Sequence, residues 1–347
     1  MDTEPVLKPR IETVPPVSER ALALFANSLV WDNTLPWISV LNSPDIDRFL
    51  PRWHATGVNV VSLTMDVRAP MDRVVAQIGL TKRQARQRSD WVAIATSLAE
   101  IEAARAAGKL ALVLNMQDTT GYGTNLDAIQ TLADLGVKQA GLAYNNRNFV
   151  GDGCAEPANA GLSLFGRALV KELNRVGVIV DGSHAGRRTT LDAMELGERP
   201  FVFSHSNPVG VRPHYRNVTD EQIRACAATG GVIGINGVGY WCGDNDAPTD
   251  AIFRCLDYTV QLVGAEHVGL GWDYVYDLDQ IIAWVRADPI AWPAFEGEWM
   301  VKHNYAGPEQ MVELVQFMLD HGYPDDAIAG ILGANWERIA NAVWTPA

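Results

Sequence analysis

The sequence predicts a (β/α)8 TIM barrel of the α/β class, in which eight parallel strands form a closed ring inside a layer of helices. Short apolar runs recur along the chain, rich in Val, Ile and Leu without polar alternation, as expected for parallel strands buried on both faces. Amphipathic stretches of helical periodicity separate these runs. No GxGxxG turn follows the first run, which disfavours a dinucleotide-binding open sheet.

The eight predicted strands share this apolar character, and each is followed by a polar residue and then by a helical stretch. They are Ser28–Trp31, Val58–Thr64, Leu110–Asn115, Gln139–Ala143, Val178–Val180, Phe201–Phe203, Gly231–Ile235 and His267–Gly271.

The stretches between the strands carry the signals that begin and end helices. Thr219 precedes Asp220 and Glu221 at the start of an apolar-periodic run, as an N-cap does. Glycines follow several stretches, as expected for C-terminal caps; they are Gly108, Gly136, Gly177 and Gly264. The clearest predicted helices are Ser97–Ala107, Leu162–Val176, Thr189–Leu196, Asp220–Ala228 and Thr249–Leu262.

We expect one barrel domain over residues 21–347, preceded by an N-terminal extension over residues 1–20. The extension is polar and contains prolines, and it lacks the apolar segment of a secretory signal. A Trp-rich insertion around residues 281–305 follows the last predicted strand. With Trp284, Trp292 and Trp299, it is suited to cap a pocket or to form a dimer interface.

The composition excludes several classes of partner. The 347 residues include 41 acidic and 28 basic residues, for a formal net charge of -13, which disfavours nucleic acid and anionic membranes as partners. The four cysteines form no CxxC pair and no apolar stretch is long enough to span a membrane, so we expect a cytoplasmic protein with reduced thiols. We further expect a small-molecule substrate and a homodimer.

Polar residues stand just past the predicted strands, where the strand ends of a barrel converge on one funnel. They are Asp32, Asp66, Gln117, Asp118, Tyr144, Asn145, His184, His205, Asn236 and Asp273. His184 and His205 occupy equivalent points of adjacent units, both in Ser-His contexts, and Asp273 follows the eighth strand. We interpret these three as a site rather than as satisfied core residues.

Two histidines with one or two oxygen ligands suffice for a catalytic divalent metal that keeps an open position. Such a metal lowers the pKa of its water and polarises a carbonyl, and Asp273 within reach of that water could carry its proton. Tyr144 could donate a hydrogen bond to a substrate oxygen or could simply pack in the funnel.

A set of local strings is recognisable along the chain, namely Tyr144–Asn148, Gly151–Cys154, Gly161–Gly166, Asn174–Gly177, Val180–His184, Phe203–Ser206, Arg216–Asn217, Gly230–Gly231, His267–Gly271 with Asp273, and Leu332–Asn335. This set resembles the membrane dipeptidase family (renal dipeptidase, peptidase M19), and the resemblance runs from about residue 20 to residue 340.

The resemblance implies a metallo-dependent hydrolase-like barrel that cleaves dipeptides, with two zinc ions in well-known members. By position, His184 and His205 match the histidines of one metal site, and Asp273 matches the carboxylate that assists proton transfer. Arg216 matches the residue that holds the substrate carboxylate. We expect Tyr144 and Asn145 to bind substrate beside it.

Three positions depart from the family pattern. The His-x-Asp pair of the first strand is missing, and Asp32 is the only ionisable residue there. Gln117 replaces the glutamate that bridges two metals, and Tyr144 replaces a substrate-contacting histidine. Since a neutral amide cannot bridge two dications, we expect one zinc or similar ion at His184 and His205, completed by Asp32 or Gln117 and water. A metal-free site is the alternative.

Three functions are therefore open at this point. The first is a dipeptidase-like hydrolase acting on an amide bond in a small carboxylate-bearing substrate. The second is a metal-poor or metal-free homologue that catalyses a lyase, isomerase or ring-opening reaction on a small acid or heterocycle. The third is a non-catalytic homologue.

Overall fold

The computed structural model describes residues 16–36, 46–275, 278–292 and 304–344, and its centre is one sheet of parallel strands. The described strands are β1 Trp31–Leu35, β2 Val60–Thr64, β3 Val92–Ile94, β4 Leu110–Met116, β5 Val137–Gly141, β6 Ile179–Asp181, β7 Phe201–Phe203, β8 Val232–Ile235 and β9 Val268–Leu270.

The sheet closes on itself, because β1 pairs with both β2 and β9 while β2 also pairs with β4. The remaining pairs run in order from β4 to β9. This confirms the predicted (β/α)8 barrel, whose eight strands are β1, β2 and β4 to β9.

The short strand β3 was not predicted. It pairs with residues 110–112 of β4, whereas β5 pairs with residues 114–116. Since β2 occupies one edge of β4, β3 and β5 must share the other edge, so β3 lies beside the ring without being part of it.

The first strand begins three residues later than predicted. Ser28 caps the preceding helix, with its Oγ and its backbone N–H both donating to the carbonyl of Leu24. Residues 28–30 are therefore the link from helix to strand, and Asp32 lies inside β1 rather than past its end.

Helices surround the barrel. The described helices are α1 Glu19–Asn27, α2 Ile46–Ala55, α3 Met71–Gln87, α4 Leu98–Ala106, α5 Asp127–Asp134, α6 Leu164–Val176, α7 Arg187–Leu196, α8 Asp220–Ala228, α9 Gly239–Cys242, α10 Thr249–Val263, α11 Leu278–Ala287, α12 Gln310–Asp320, α13 Asp325–Ala329 and α14 Asn335–Val343. No helix within the described ranges is both long and apolar enough to cross a bilayer.

The predicted helix boundaries have the expected chemistry. The Thr219 Oγ1 accepts from the backbone N–H of Gln222, and the Gln222 Oε1 accepts from the backbone N–H of Thr219; this capping box starts α8. The backbone φ is positive at all four predicted cap glycines, which are Gly108, Gly136, Gly177 and Gly264.

The interior of the barrel has an apolar floor and a polar layer above it. Val60, Val202 and Val232 form the floor, and Trp336 of α14 packs against it. Above it, Asn33 donates to Gln139 on the opposite side of the ring at 3.2 Å, and Gln139 donates to Asp181 at 3.3 Å. These buried bonds hold the polar layer that lies beneath the strand ends.

The predicted N-terminal extension and the predicted Trp-rich insertion are described only in part. Residues 1–15 of the predicted extension lie outside the described residues. The Trp-rich insertion is described as α11 and the turn to Trp292, whereas residues 293–303, with Trp299, and the side chain of Trp284 lie outside the described part. The predicted domain boundaries stay predictions.

Candidate active site

Four candidate residues follow the strand ends at one mouth of the barrel. Asn145 follows β5, His184 follows β6, His205 follows β7 and Asp273 follows β9. The backbone φ is 59° at Asn145, 67° at His184 and 54° at Asp273, in the left-handed region that non-glycine residues rarely adopt. Half of the six described non-glycine residues with positive φ therefore lie here, and such strain is concentrated at functional sites.

The two histidines are in direct contact. The Nε2 atoms of His184 and His205 are 3.0 Å apart, and both side chains are buried. The ring of Tyr144 stacks on His184 with 3.8 Å between centroids and an interplanar angle of 21°. The structure thus places the two imidazoles in contact, and His184 is the one that lines the cavities beside them.

The hydrogen bonds of Asn145 define the tautomer of His184. The Asn145 Nδ2 donates to the carbonyl of Ala291 at 3.2 Å, which orients the amide so that its Oδ1 faces His184. This Oδ1 lies 2.8 Å from Nδ1 of His184 and can only accept. Nδ1 of His184 therefore carries the proton, and Nε2 keeps a lone pair.

Two hydroxyls define the tautomer of His205 in the same way. Nδ1 lies 2.6 Å from Ser204 Oγ and 3.1 Å from Thr34 Oγ1. Ser204 gives its hydrogen to Asp181, and Thr34 gives its own to the carbonyl of Asn33 at 2.6 Å. Both hydroxyls thus accept from Nδ1–H, and Nε2 of His205 also keeps a lone pair.

Two lone pairs that face each other at 3.0 Å repel unless a cation lies between them. A shared proton is disfavoured, because the pKa of each imidazole lies well below its usual value. Burial is the main cause for both, and the nearby Arg216 charge adds to it; His205 lowers the pKa of His184 further. At neutral pH the pair is thus two neutral imidazoles with converging acceptors, a typical pair of metal ligands.

Asp273 is the titratable carboxyl of the same cavity. Burial raises its pKa to about 7, and the charge of Arg216 and the hydrogen bond from Asn236 oppose this rise. The Asn236 Nδ2 donates to Asp273 Oδ2 at 3.0 Å. A carboxyl with a pKa near neutrality can both take up and release a proton at physiological pH.

Asp32 and Gln117, the two further candidate ligands, have different surroundings. Asp32 is fully buried, and its carboxylate accepts from the Trp53 indole at 2.9 Å and from the backbone N–H groups of Trp272 at 2.8 Å and Thr34 at 3.3 Å. These bonds favour a structural role, joining β1 to β9 and α2. Gln117 instead lines the cavity of His184 and Asp273.

Arg216 is buried below the loop that carries His205. It donates to the His205 carbonyl at 2.9 Å and to Ser206 Oγ at 3.2 Å, and its guanidinium lies 5.1 Å from the centre of the Trp241 ring. Its Nε atom has no hydrogen-bond partner among the described residues. One donor of this buried cation is thus left for a ligand.

Two cavities meet at His184. The first is mainly apolar and contains Gln117, Tyr144 and Asp273; we refer to it as the apolar chamber. The second is lined by polar and basic groups that include Arg187 and Arg216, and we refer to it as the polar chamber. The imidazole pair is thus located between an apolar and a cation-lined space.

The structure brings most of the predicted site residues together. His184, His205, Tyr144 and Asn145 are in contact, and Asp273 and Gln117 share the apolar chamber with His184. The roles assigned to these residues stay predictions.

Sequence reasoning missed the residues that orient the imidazoles, namely Thr34, Asp181 and Ser204. The repeated Ser-His context, with Asp181 three residues before His184, was the signal that could have indicated them.

Comparison with known protein families gives one match that spans most of the chain. The model of the membrane dipeptidase family (peptidase family M19) matches residues 34–282. An uncharacterised protein from the pqqA 5′ region of Klebsiella pneumoniae is 27% identical over 286 residues, which are 79% of this chain and 97% of that protein. Dipeptidase aclJ of Aspergillus oryzae is 28% identical over 277 residues, which are 77% of this chain and 60% of the fungal protein.

Solved structures share the fold. An amidohydrolase from Pseudomonas aeruginosa superposes with a TM-score of 0.80 at 24% identity, over 93% of this chain and 99% of that one. A metallo peptidase from Rhodobacter sphaeroides, liganded with a phosphinate mimic of the dipeptide L-Ala-D-Ala, gives a TM-score of 0.76 at 20% identity, over 92% of this chain and 100% of that one. At these identities the likeness shows the barrel architecture alone.

Proposed function

Because this chain belongs to the membrane dipeptidase family, peptidase family M19, we propose that it hydrolyses the amide bond of a dipeptide or a related small substrate that bears a carboxylate. The observation that carries the proposal is the imidazole pair, because the Nε2 atoms of His184 and His205 lie 3.0 Å apart and the hydrogen bonds at both Nδ1 atoms leave each Nε2 as an acceptor. The family supplies the reaction class, and this pair supplies a place for the metal that the reaction uses.

The donor set fits one divalent ion. Imidazole nitrogens bind zinc at about 2.0–2.1 Å, so two nitrogens 3.0 Å apart can reach the same ion. Gln117 is our first choice for a further ligand, because its Nε2 donates to Thr64 at 3.0 Å and its Oε1 is thus left to accept. Asp32 is the second choice, since its oxygens already accept three N–H groups.

A second ion fits less well. Over the described ranges, no group of three or more His, Cys, Asp and Glu side chains is arranged to hold a metal, so a first ion relies on Gln117 or water beside the two imidazoles and a second ion has no ligand set of its own. Gln117 brings no charge with which to bridge two dications. We therefore propose one zinc or similar ion per chain.

When bound, such an ion polarises the substrate carbonyl and makes water a stronger acid. Asp273 accepts the proton of the attacking water and transfers it to the leaving nitrogen as the C–N bond breaks, so the products are a carboxylic acid and an amine. The pKa of about 7 suits both transfers. Tyr144, whose phenol stays protonated because burial and the charge of Asp273 raise its pKa, donates a hydrogen bond to the carbonyl oxygen.

The remaining residues position substrate and histidines. Arg216 binds the substrate carboxylate through its unpartnered Nε–H. Asn145 holds His184 in the tautomer that presents Nε2; it lines neither chamber, so it acts on the substrate through His184. The homodimer and the cytoplasmic location expected from the sequence stay predictions.

Acid–base chemistry without a metal is the second candidate. It is favoured by one observation, the neighbouring pair of Asp273 and Tyr144, which offers a base near neutrality and a protonated phenol. In that case a small acid or heterocycle would undergo a lyase, isomerase or ring-opening reaction.

A dipeptide panel tests the proposal. The purified chain is incubated with dipeptides and release of the free amine is measured, with and without a chelator. We expect cleavage that stops in the chelator, and an Asp273→Asn variant at least about a hundredfold slower. The control is Asp134→Asn, an exposed carboxylate on α5, which keeps wild-type activity. No cleavage of any dipeptide, or equal rates for wild type and Asp273→Asn, contradicts the proposal.

A further inference from the structure

The apolar chamber beside Asp273 has a roof that belongs to the segment after the eighth barrel strand. Residues 278–292, which we name the α11 roof, contribute Ile281, Ile282, Val285 and Trp292 to its lining. The facing wall contains Tyr144, and Trp292 meets the Tyr144 ring edge-on at 5.2 Å with an interplanar angle of 78°. The space next to the base is thus enclosed by aliphatic and aromatic side chains.

Charged groups are scarce in this lining. Among the described residues that line the chamber there is no Lys, Arg or Glu, and its carboxyl Asp273 and its imidazole His184 are both needed for the proposed reaction. A charged substrate side chain placed here would lose its water without gaining an ion pair, whereas an apolar side chain would gain from burial.

The roof is fastened to the site at two points. The Ala291 carbonyl accepts from Asn145, the residue that orients His184. At the other point, Asp288 accepts from Arg68 at 3.0 Å and from the backbone N–H of Ala291 at 3.0 Å. The apolar surface is therefore held over the reacting groups by residues of two other strand-end loops.

We propose that the α11 roof selects substrates in which a bulky aliphatic or aromatic side chain lies next to the scissile amide. This deepens the proposed function and rests on it, since the side chain is defined relative to the bond that the site cleaves. The polar chamber, which contains Arg216, takes the carboxylate end of the same molecule.

Two measurements test the proposal on the intact chain. Binding of non-hydrolysable phosphinic dipeptide analogues is measured by calorimetry, with Leu, Phe, Gly or Asp side chains beside the phosphinate, and kcat/KM is measured for the matching dipeptides. We expect the Leu and Phe compounds to be preferred over Gly by about tenfold or more. Ile282→Ala and Trp292→Ala reduce this preference.

The matched control is Ile290→Ala in the same roof, because this side chain is 75% exposed and does not line the chamber. It keeps the wild-type preference. Trp292→Ala changes the residue next to Ala291 and can therefore also disturb the hydrogen bond between Ala291 and Asn145. Ile282→Ala removes apolar surface from the chamber at a position away from that bond, so a loss of preference in this variant is due to the lost surface. Equal affinity for the Gly and Phe analogues, or a preference that survives both roof variants, overturns the proposal.

The two proposals fail in distinguishable ways. If no dipeptide is cleaved but the analogues still bind with the Leu and Phe preference, the reaction is wrong and the roof assignment is supported. If dipeptides are cleaved with no preference for apolar side chains, the roof assignment is wrong and the dipeptidase activity is supported.

Discussion

Replacement of Asn145 by glycine tests how the imidazole pair is oriented. Asn145 has a φ of 59°, which glycine adopts without strain, so the change removes the side chain and adds little steric cost in the folded backbone. Three side-chain hydrogen bonds are lost: a long one at 3.6 Å from the Cys154 Sγ, and the two that we count, at 2.8 Å to Nδ1 of His184 and at 3.2 Å to the Ala291 carbonyl. A substitution by a residue other than glycine would add backbone strain at this φ to the effect of the lost hydrogen bonds.

The expected magnitudes follow from these two bonds. Leaving a buried donor or acceptor without its partner costs about 1–3 kcal/mol, and water re-entering the site offsets part of this. We therefore expect the free energy of unfolding to fall by about 2–4 kcal/mol. Loss of the group that orients a ligating histidine weakens metal binding by about 10–100-fold, and activity at limiting zinc falls with it.

Zinc affinity is measured by competition with a chromophoric chelator, and stability by urea denaturation. Asn159→Gly is the matched control, because Asn159 also has a positive φ, of 45°, and its Oδ1 accepts the backbone N–H of Arg188 at 2.8 Å on the exposed surface. We expect this control to retain wild-type zinc affinity. An Asn145→Gly variant with wild-type zinc affinity and wild-type stability refutes the tautomer argument.

Three further predictions concern the base, the barrel and the substrate carboxylate. The value of kcat/KM rises with pH through about 7 as Asp273 loses its proton. Asn236→Ala moves this rise to higher pH, because it removes a hydrogen bond that lowers the pKa of Asp273. A pH profile that is unchanged in the variant argues against Asp273 as the base. Trp53→Phe removes an N–H donor to the buried Asp32 and lowers the free energy of unfolding by about 1–3 kcal/mol in urea denaturation, whereas Trp91→Phe, the control, has a smaller effect. Arg216→Lys reduces kcat/KM by about tenfold or more for dipeptides with a free carboxylate and much less for their C-terminal amides; an equal loss for both would show that Arg216 acts only on the fold.

Much of the barrel could be predicted from the sequence, since parallel strands buried on both faces leave apolar runs that local inspection finds. The start of β1 could not, because residues 28–30 are as apolar as a strand and only the Ser28 cap ends the helix before them. The strand β3 is three residues long and pairs with β4 alone, so it leaves too short a pattern to recognise.

The reacting groups of the site could be predicted from the sequence, but the hydrogen bonds that orient them could not. His184, His205 and Asp273 stand at strand ends, and the topology of a barrel brings such residues together. The bonds that fix their protonation come from residues far apart in sequence, such as Thr34 and His205, which are 171 positions apart. For Asp32 the sequence suggested a metal ligand, because it is a lone carboxylate on the first strand. The structure shows that Trp53 and Trp272, which are distant in sequence, donate hydrogen bonds to this carboxylate.

The metal content of the purified chain tests the central claim most directly. Protein prepared without chelators is analysed by elemental mass spectrometry, together with His184→Ala and His205→Ala variants. We predict one divalent ion per chain in the wild type and none in either variant, with dipeptide hydrolysis lost alongside the ion. Wild-type protein that holds no ion and still cleaves dipeptides at full rate in a chelator, or that holds two ions per chain, would contradict the claim that the two imidazoles share one metal.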